Sequence, residues 1–299
     1  MKQWNLIKKN LINILFLFII YISYIFSYYS NNSEQKKIFT FWEPKLNIPG
    51  YIKLCIRTWK IIFPNKKIII LDYSNVYQYL KPSLISKILC KNMGMKVQAD
   101  AIRVAILKKY GGIWMDADTI LINSSFIKRF YGYELATLSY HIGFLYCSKN
   151  SIFISKWLRK IIKKMNIYKK ALSRNLTKKQ YAKFHSGDYL GNTIFNPIVK
   201  ECKGKEYLQI NVLNMFALPE RIFIKDKILV DVKYKMFYFS PEIPNKIKKV
   251  EKIIDNSKGI ILLHNSWTPD KYRKMSEKEF LKQDILLAYL LRKILRKKI

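Results

Sequence analysis

The sequence predicts an α/β fold with a mostly parallel central sheet, preceded by an N-terminal transmembrane helix. Three features predict it: a strand–helix–strand pattern over residues 38–72, a helix–turn–strand unit over 97–118, and an uncharged apolar run near the N-terminus. Half of the 299 residues are hydrophobic. This composition excludes general disorder, and the length suffices for one or two domains with a substantial core.

The apolar run extends from Leu11 to Tyr29 without a charged residue. Roughly 20 apolar residues cross a bilayer, and the tyrosines at the far end are typical of a membrane interface. We predict a transmembrane anchor over 11–30, after a short basic segment over 1–10. A cleaved signal peptide is the alternative, which the missing small-x-small cleavage pattern disfavours. The leading lysines favour a cytoplasmic N-terminus, but the next domain is also basic, so the orientation stays open. We therefore expect a single-pass membrane protein whose main domain faces the cytoplasm if bacterial, or the lumen in a secretory pathway.

The strand–helix–strand pattern begins with a first strand over Ile38–Trp42. An amphipathic helix follows from Pro49, and Ile68–Leu71 is a short apolar run that suits a parallel strand buried on both faces. Ligands bind past the carboxyl ends of strands in such sheets. Trp42 lies at such an end, where it can stack on a nucleobase or fill the rim of the core. Asp72 also lies there, and we interpret it as the start of a turn.

The helix–turn–strand unit gathers four charged side chains. Asp100 and Arg103 are three residues apart on a helical pattern, so they share a face, and we expect Asp100 in the first turn. Gly111 or Gly112 can close the helix in a left-handed conformation. The alternation of the next strand points Asp116 and Asp118 the same way. Carboxylates together with phosphate oxygens suit Mn²⁺ or Mg²⁺.

A less specific interpretation of the same unit is a surface salt bridge beside a solvated acidic turn. For the D-x-D triplet alone we would prefer it. The chain, however, has 55 basic and only 20 acidic residues. Three aspartates within nineteen positions, in one unit with an arginine and two glycines, favour a binding site.

This unit resembles the D-x-D glycosyltransferases of the sugar-binding-region type, and among them the capsular polysaccharide synthesis proteins. The residues that carry the resemblance are Ala99-Asp100, Arg103, Leu107, Tyr110-Gly111-Gly112, Trp114 and Asp116-Ala117-Asp118. Ala99 departs from the family's usual Ser, which removes a helix cap but no chemistry. The resemblance implies a GT-A-type nucleotide-sugar-binding fold over 36–275.

The same resemblance implies a reaction and a set of residue roles. It implies metal-dependent transfer of a sugar from a UDP- or GDP-linked donor to a saccharide or glycolipid acceptor, with retention of anomeric configuration. Mn²⁺ or Mg²⁺ would be held by Asp118, and Asp116 would contact the ribose and reach the metal through water. Asp100 and Arg103 would bind sugar hydroxyls, and Arg103 would also help to offset the phosphate charge. The donor-binding set also includes Trp42, Gly111 and Gly112.

The middle of the chain carries weaker signals. We expect strands over 134–139 and 142–147, a helix over 152–165, and a basic flap without regular structure over 166–184. A polar, glycine-containing loop follows, and related enzymes place such a loop at the acceptor. Asp188 and Asn192 are therefore acceptor-site candidates, with a plain turn as the alternative.

A second chemical motif follows the apolar strand predicted over 259–263. His264, one of only three histidines, is followed by Asn265-Ser266-Trp267. The family's terminal motif is similar, which implies a metal contact for His264 and donor contacts for Ser266 and Trp267. A histidine capped within the core is the alternative.

The tail over 276–299 begins with a capping-box pattern and continues as a basic amphipathic helix. It can pack on the domain or lie on an anionic membrane surface. The net charge of +35 is either a solvated surface or an attraction to anionic lipids and substrates. No nucleic-acid-binding pattern is present, so we expect no nucleic-acid partner. The four cysteines form no C-x-x-C pair and predict no zinc site.

Two rival functions remain open at this point. A metal-dependent phosphodiester hydrolase could use the same aspartates, but it would need further carboxylates around a second metal. A non-catalytic basic protein on a membrane surface would explain the charge, but it would not need an arginine and three aspartates in one unit. The glycosyltransferase interpretation accounts both for the positive charge of the chain and for the cluster of one arginine and three aspartates.

Overall fold

The computed structural model describes residues 15–22, 37–130, 133–138, 141–149, 151–174, 176–201, 207–210, 227–256 and 259–296. The anchor predicted over 11–30 falls mostly outside these ranges; within it, residues 15–22 are helical and exposed. In the described part of the chain, no helix is long and apolar enough to cross a bilayer.

A six-stranded sheet lies at the centre of the fold. Its strands are β1 (Lys37–Phe41), β2 (Lys67–Leu71), β3 (Gly112–Met115), β5 (Leu135–Leu138), β6 (His141–Cys147) and β7 (Tyr207–Ile210). The order across the sheet is β2-β1-β3-β6-β5-β7, and β6 alone runs against its neighbours. The predicted α/β fold with a mostly parallel sheet is therefore confirmed.

The helices of the described ranges cover both faces of this sheet. They are α1 (Gly50–Ile62), α2 (Val76–Tyr79), α3 (Pro82–Ile88), α4 (Met95–Tyr110), α5 (Ile152–Leu172), α6 (Lys178–Phe184), α7 (Asn192–Glu201), α8 (Lys227–Tyr238), α9 (Pro244–Asn256), α10 (Asp270–Arg273), α11 (Glu277–Leu281) and α12 (Leu286–Arg296). Short 3₁₀ turns lie at Lys45–Asn47, Ile127–Phe130 and Asn265–Trp267.

The alternation of side chains along the strands builds two apolar cores. On β3, Ile113 and Met115 point into the core that contains α1 and α12, whereas Trp114 points into the core formed with α4 and α5. On β6, Phe144 points into the core that contains α1 and α12, and Leu145 points into the core formed with α4 and α5. The result is a three-layer α/β/α arrangement whose sheet is buried on both sides.

A second, two-stranded sheet ties the C-terminal part to the centre. In it β4 (Thr119–Leu121) pairs antiparallel with β8 (Ile260–Leu262). The Trp59 indole on α1 donates to the Thr119 carbonyl (2.7 Å), which holds this small sheet against α1. The apolar strand predicted near residue 260 is therefore present, but it joins this separate pair.

The C-terminal tail packs into the domain. The predicted capping box is present: the Ser276 side chain accepts from the Glu279 amide, and the Glu279 carboxylate accepts from the Ser276 amide. The apolar side chains of α12, among them Leu287 and Leu291, are fully buried in the core that also contains α1. That apolar face is occupied by the protein and is not open to a membrane.

Three structural expectations are wrong. Residues 166–184 are not an irregular flap, because α5 continues to Leu172 and α6 begins at Lys178 with a complete capping box. β2 lies at the sheet edge and is only partly buried. Asp100 is not in a first helical turn, because α4 begins five residues earlier at Met95 and Asp100 is buried.

Candidate active site

Asp100 and Arg103 on α4 form a buried ion pair that reaches into the sheet. Both side chains are more than 90% buried. One guanidinium nitrogen, Nη1, donates to Asp100 Oδ1 (2.7 Å), and the other, Nη2, donates to Asp116 Oδ1 (2.7 Å). The guanidinium lies over the Trp114 ring at 5.2 Å. Arg103 therefore acts as a planar fork that fixes two carboxylates at once.

The two aspartates of the D-x-D triplet are held by different parts of the chain. Asp116 accepts from Arg103 and from the Trp114 indole (3.0 Å), and its amide donates to the Gly143 carbonyl (2.7 Å). Asp118 Oδ2 accepts from the Asn265 amide (2.8 Å). The backbone carbonyl of Asp118 also accepts from the Leu263 amide (3.1 Å). Asp118 is thus positioned by the segment that follows β8.

Burial changes the protonation of two of these carboxyls. Burial raises the pKa of Asp100 to about 7, against the opposing charge of Arg103 and with the nearby Asp116 and Asp188 adding to the rise. Burial raises the pKa of Asp118 to about 7 as well; the charge of Asp116 adds to this, and the Asn265 amide opposes it. Each carboxylate is costly to ionise here, which a bound cation would offset.

The far wall of the site carries the His264–Trp267 motif. The His264 ring stacks on the Trp267 ring with centroids 4.0 Å apart, and its Nδ1 is 2.7 Å from Ser266 Oγ. Tyr51 on α1 donates to the Asn265 side chain (2.5 Å). Trp267 lies behind the histidine and fixes its ring plane, whereas His264 and Ser266 line the cavity.

These elements enclose one open cavity of about 490 Å³ beyond the carboxyl ends of β1 and β3. The predicted residues that line it are Trp42, Asp100, Arg103, Asp116, Asp118, Asp188, Asn192, His264 and Ser266. The structure brings together residues that are up to 224 positions apart in sequence, from Trp42 to Ser266.

Gly111, Gly112 and Trp267 do not line the cavity, contrary to their inclusion in the donor-binding set. Gly111 and Gly112 have φ values of 63° and 92° and turn α4 into β3. They lie at the opposite end of β3 from Asp116, about 13 Å away for four residues of strand. Their role is to direct the strand, because left-handed φ values favour glycine.

Sequence reasoning missed several lining residues, of which Glu43, Lys96, His141, Asn265 and Arg273 carry polar groups. His141 begins β6, and its Nδ1 accepts from the Gly143 amide (2.9 Å). Burial lowers the pKa of His141, while the charge of Asp116 opposes this. The ring is therefore neutral near pH 7, with Nε2 as its donor. Its position just before a predicted strand was the available signal.

The carboxylates suit a divalent cation only with help from a ligand. Among the described residues, no group of three or more His, Cys, Asp or Glu side chains is placed to hold a metal. Asp116 is turned toward Arg103, which leaves Asp118 and His264 as the candidates on the metal side. Hard cations accept phosphate oxygens alongside carboxylates, so two protein ligands can suffice when a diphosphate supplies others.

The raised pKa of Asp118 predicts that the free energy of unfolding depends on pH. A carboxyl whose pKa is raised on folding is costly when ionised, so its contribution to stability falls as the pH rises from about 4 through about 7. We expect Asp118→Asn to be increasingly more stable than the metal-free wild type between about pH 5 and about pH 8. Chemical denaturation of both proteins, with the exposed Asp255→Asn as the control, measures this. A pH-independent difference would contradict it, and added Mn²⁺ should reduce the difference.

The chain is similar to one protein family in sequence and to several solved structures in fold. The family model of the capsular polysaccharide synthesis protein matches residues 7–212, more than half of the chain. No curated protein matches the chain in sequence. Similar solved structures include the PaToxG glycosyltransferase, with 16% identity, 79% of this chain and 95% of that chain covered, and a TM-score of 0.36.

Two further similar structures are of the LgtC galactosyltransferase. The complex with donor and acceptor sugar analogs has 12% identity, covers 86% of this chain and 95% of that chain, and gives a TM-score of 0.39. An active-site mutant of LgtC has 11% identity, covers 80% of this chain and 99% of that chain, and gives a TM-score of 0.35.

Proposed function

Because the chain belongs to the capsular polysaccharide synthesis family, we propose that it is a glycosyltransferase that moves a sugar from a nucleotide-sugar donor to a growing saccharide or to a glycolipid. The donor is UDP- or GDP-linked. The fold is of the GT-A type, and transfer retains the anomeric configuration, as the D-x-D motif resemblance implies.

The observation that carries this proposal is the convergence of Asp100, Arg103, Asp116 and Asp118 in one cavity past the strand ends. About 490 Å³ is within the range of small-molecule sites, roughly 300–1,000 Å³. The cavity has an aromatic wall at Trp42 and a carboxylate-rich floor. This combination suits a base or sugar ring at one side and many hydroxyl groups at the other.

Arg103 would organise the sugar side of the site. Its two terminal nitrogens donate to Asp100 and Asp116, so it holds these carboxylates at fixed positions. Its buried Nε has no hydrogen-bond partner among the described residues. The carboxylates can then accept hydrogen bonds from donor hydroxyls at preset angles. Pre-organised acceptors are effective in catalysis because they need no rearrangement during the reaction.

A divalent cation, Mn²⁺ or Mg²⁺, fits the other side of the site. Asp118 is held by the Asn265 amide and has a raised pKa, and no described cation forms an ion pair with it. Asp118 and His264 would hold the metal, with Asp116 contributing at most through water. When bound, the metal would neutralise the charge that develops on the departing nucleoside diphosphate.

The acceptor would enter beside the loop that contains Asp188 and Asn192. The Asn192 amide donates to Asp188 Oδ1 (3.3 Å), while its own Oδ1 is buried and receives no hydrogen bond from any described residue. A buried acceptor atom without a donor is costly unless a ligand supplies one. A hydroxyl of the acceptor sugar would do so, close to an oxocarbenium-like transition state at the donor sugar.

A panel assay tests the proposed function. Purified full-length protein should release nucleoside diphosphate from one or a few of a set of UDP- and GDP-sugars, and only when Mn²⁺ or Mg²⁺ is present. Chelation should stop release, and re-added metal should restore it. If no nucleotide sugar is consumed with either metal and a range of saccharide acceptors, the proposal is wrong.

The membrane anchor over 11–30 is part of the same proposal. Removal of residues 1–35 should give a protein that partitions less into membranes and still hydrolyses the donor slowly, because the cavity residues all follow this segment. Detergent phase partitioning and donor hydrolysis measure the two effects. A truncated protein that fails to fold would mean that the segment belongs to the core.

A further inference from the structure

Lys96 differs from the two arginines that line the cavity because it forms no ion pair with a described residue. It is the second residue of α4, its side chain is exposed, and it lines the cavity together with Asp118. In the described part of the chain Lys96 forms no ion pair or side-chain hydrogen bond. A cation at the mouth of an acidic cavity without a protein partner is available to an anionic ligand.

The other two cations that line the cavity are already engaged. Arg103 is bound by two carboxylates, and Arg273 on α10 pairs with Asp270. Both guanidinium groups are therefore held in place by their carboxylates. The Lys96 ammonium has no such restraint from a described residue and can turn toward a phosphate group.

The position of Lys96 points to the phosphate side of the site. Lys96 and Asp118 line the same cavity, Lys96 from the first turn of α4 and Asp118 from the turn between β3 and β4. The positive end of the sixteen-residue helix α4 lies on the same side. Asp118 is the residue to which we assign the metal, and the diphosphate of the donor must lie against that metal.

We propose that Lys96 binds the diphosphate of the nucleotide-sugar donor, as a protein cation that acts beside the metal. This inference rests on the proposed function. The ammonium group would contact phosphate oxygens in the bound donor and in the departing nucleoside diphosphate. A hydrogen bond between charged groups contributes about 1.5–3 kcal/mol, or about 10- to 150-fold in affinity.

Ligand binding by full-length protein tests this assignment. Isothermal titration with a nucleoside diphosphate, the matching monophosphate and the nucleoside, each in the presence of Mn²⁺, separates the phosphate contribution from the base contribution. Lys96→Met should weaken diphosphate binding by about 10-fold or more and leave nucleoside binding unchanged. Lys96→Arg should restore most of the affinity, because it keeps the charge. Lys87→Met, on the exposed surface of α3, removes the same charge and should behave as wild type.

The outcomes separate the inference from the proposed function. If wild type binds nucleoside diphosphate and Lys96→Met binds it equally well, the role of Lys96 is wrong and the proposed function stands. If Lys96→Met and Lys87→Met weaken binding equally, the effect is one of net charge, and the assignment is again wrong. If wild type binds neither UDP nor GDP with metal, both proposals fall together.

Discussion

Asp118→Ala is expected to abolish metal-dependent sugar transfer, with a loss of at least about 10³-fold in turnover. The substitution removes the carboxylate that we assign to the metal. It also removes a half-buried carboxyl with a raised pKa, so the variant should be at least as stable as the wild type. Initial rates at saturating Mn²⁺ and donor, together with thermal unfolding, measure the two effects.

The matched control for this substitution is Asp255→Ala. Asp255 is an exposed aspartate on α9 outside the cavity, and its replacement should leave the turnover unchanged. Full activity in purified Asp118→Ala would rule out the metal role of Asp118. A loss of activity that accompanies unfolding would assign Asp118 to the fold, through its bond to the Asn265 amide.

Arg103→Lys should reduce sugar transfer by about 10²-fold although it keeps the positive charge. The ammonium group of lysine cannot bond Asp100 and Asp116 simultaneously in the planar geometry seen here. Asp100→Asn should have a similar effect, because it weakens both the pairing with Arg103 and the grip on donor hydroxyls. The exposed Arg159→Lys on α5 is the control and should be neutral.

The decisive measurement compares transfer with binding of the bare nucleoside diphosphate. If Arg103 and Asp100 organise the sugar pocket, transfer should fall far more than diphosphate affinity. Equal losses in both would show that the pair supports the fold, since removing one partner of a buried ion pair costs about 3–5 kcal/mol. The sugar-binding assignment would then be untenable.

The local part of the site could be predicted from the sequence because short-range spacing determines it. The i,i+3 relation of Asp100 and Arg103 and the glycine stop place the D-x-D triplet near them without reference to distant residues. The expectation that strand alternation aligns Asp116 and Asp118 is wrong, because β3 ends at Met115 and both residues lie in the turn before β4. The depth of Asp100 could not be predicted in this way. The helix begins at Gly94-Met95 without a capping side chain, so the sequence lacked the usual signal for its start.

The distant part of the site depends on pairings that local patterns do not contain. Strand β8 was visible as an apolar run, but its partner β4 lies about 140 residues earlier, and only that pairing brings His264 toward Asp118. Lys96 was missed for a different reason. In a chain with 55 basic residues, a single lysine carries little information until its neighbours are known.

The pairing of β4 with β8 also has a consequence for the order in which activity appears during synthesis. Asp118 receives its hydrogen bond from a residue 147 positions later, and α1 near the start of the domain packs on α12 near its end. A ribosome-bound chain that has not yet exposed residues 260–265 contains all three aspartates of the helix–turn–strand unit but not the segment that orients the third. Contacts of such long sequence separation form slowly and late. Nascent or prematurely terminated chains should therefore be unable to consume the donor, and sugar transfer would begin only after the whole domain has been released and closed on itself.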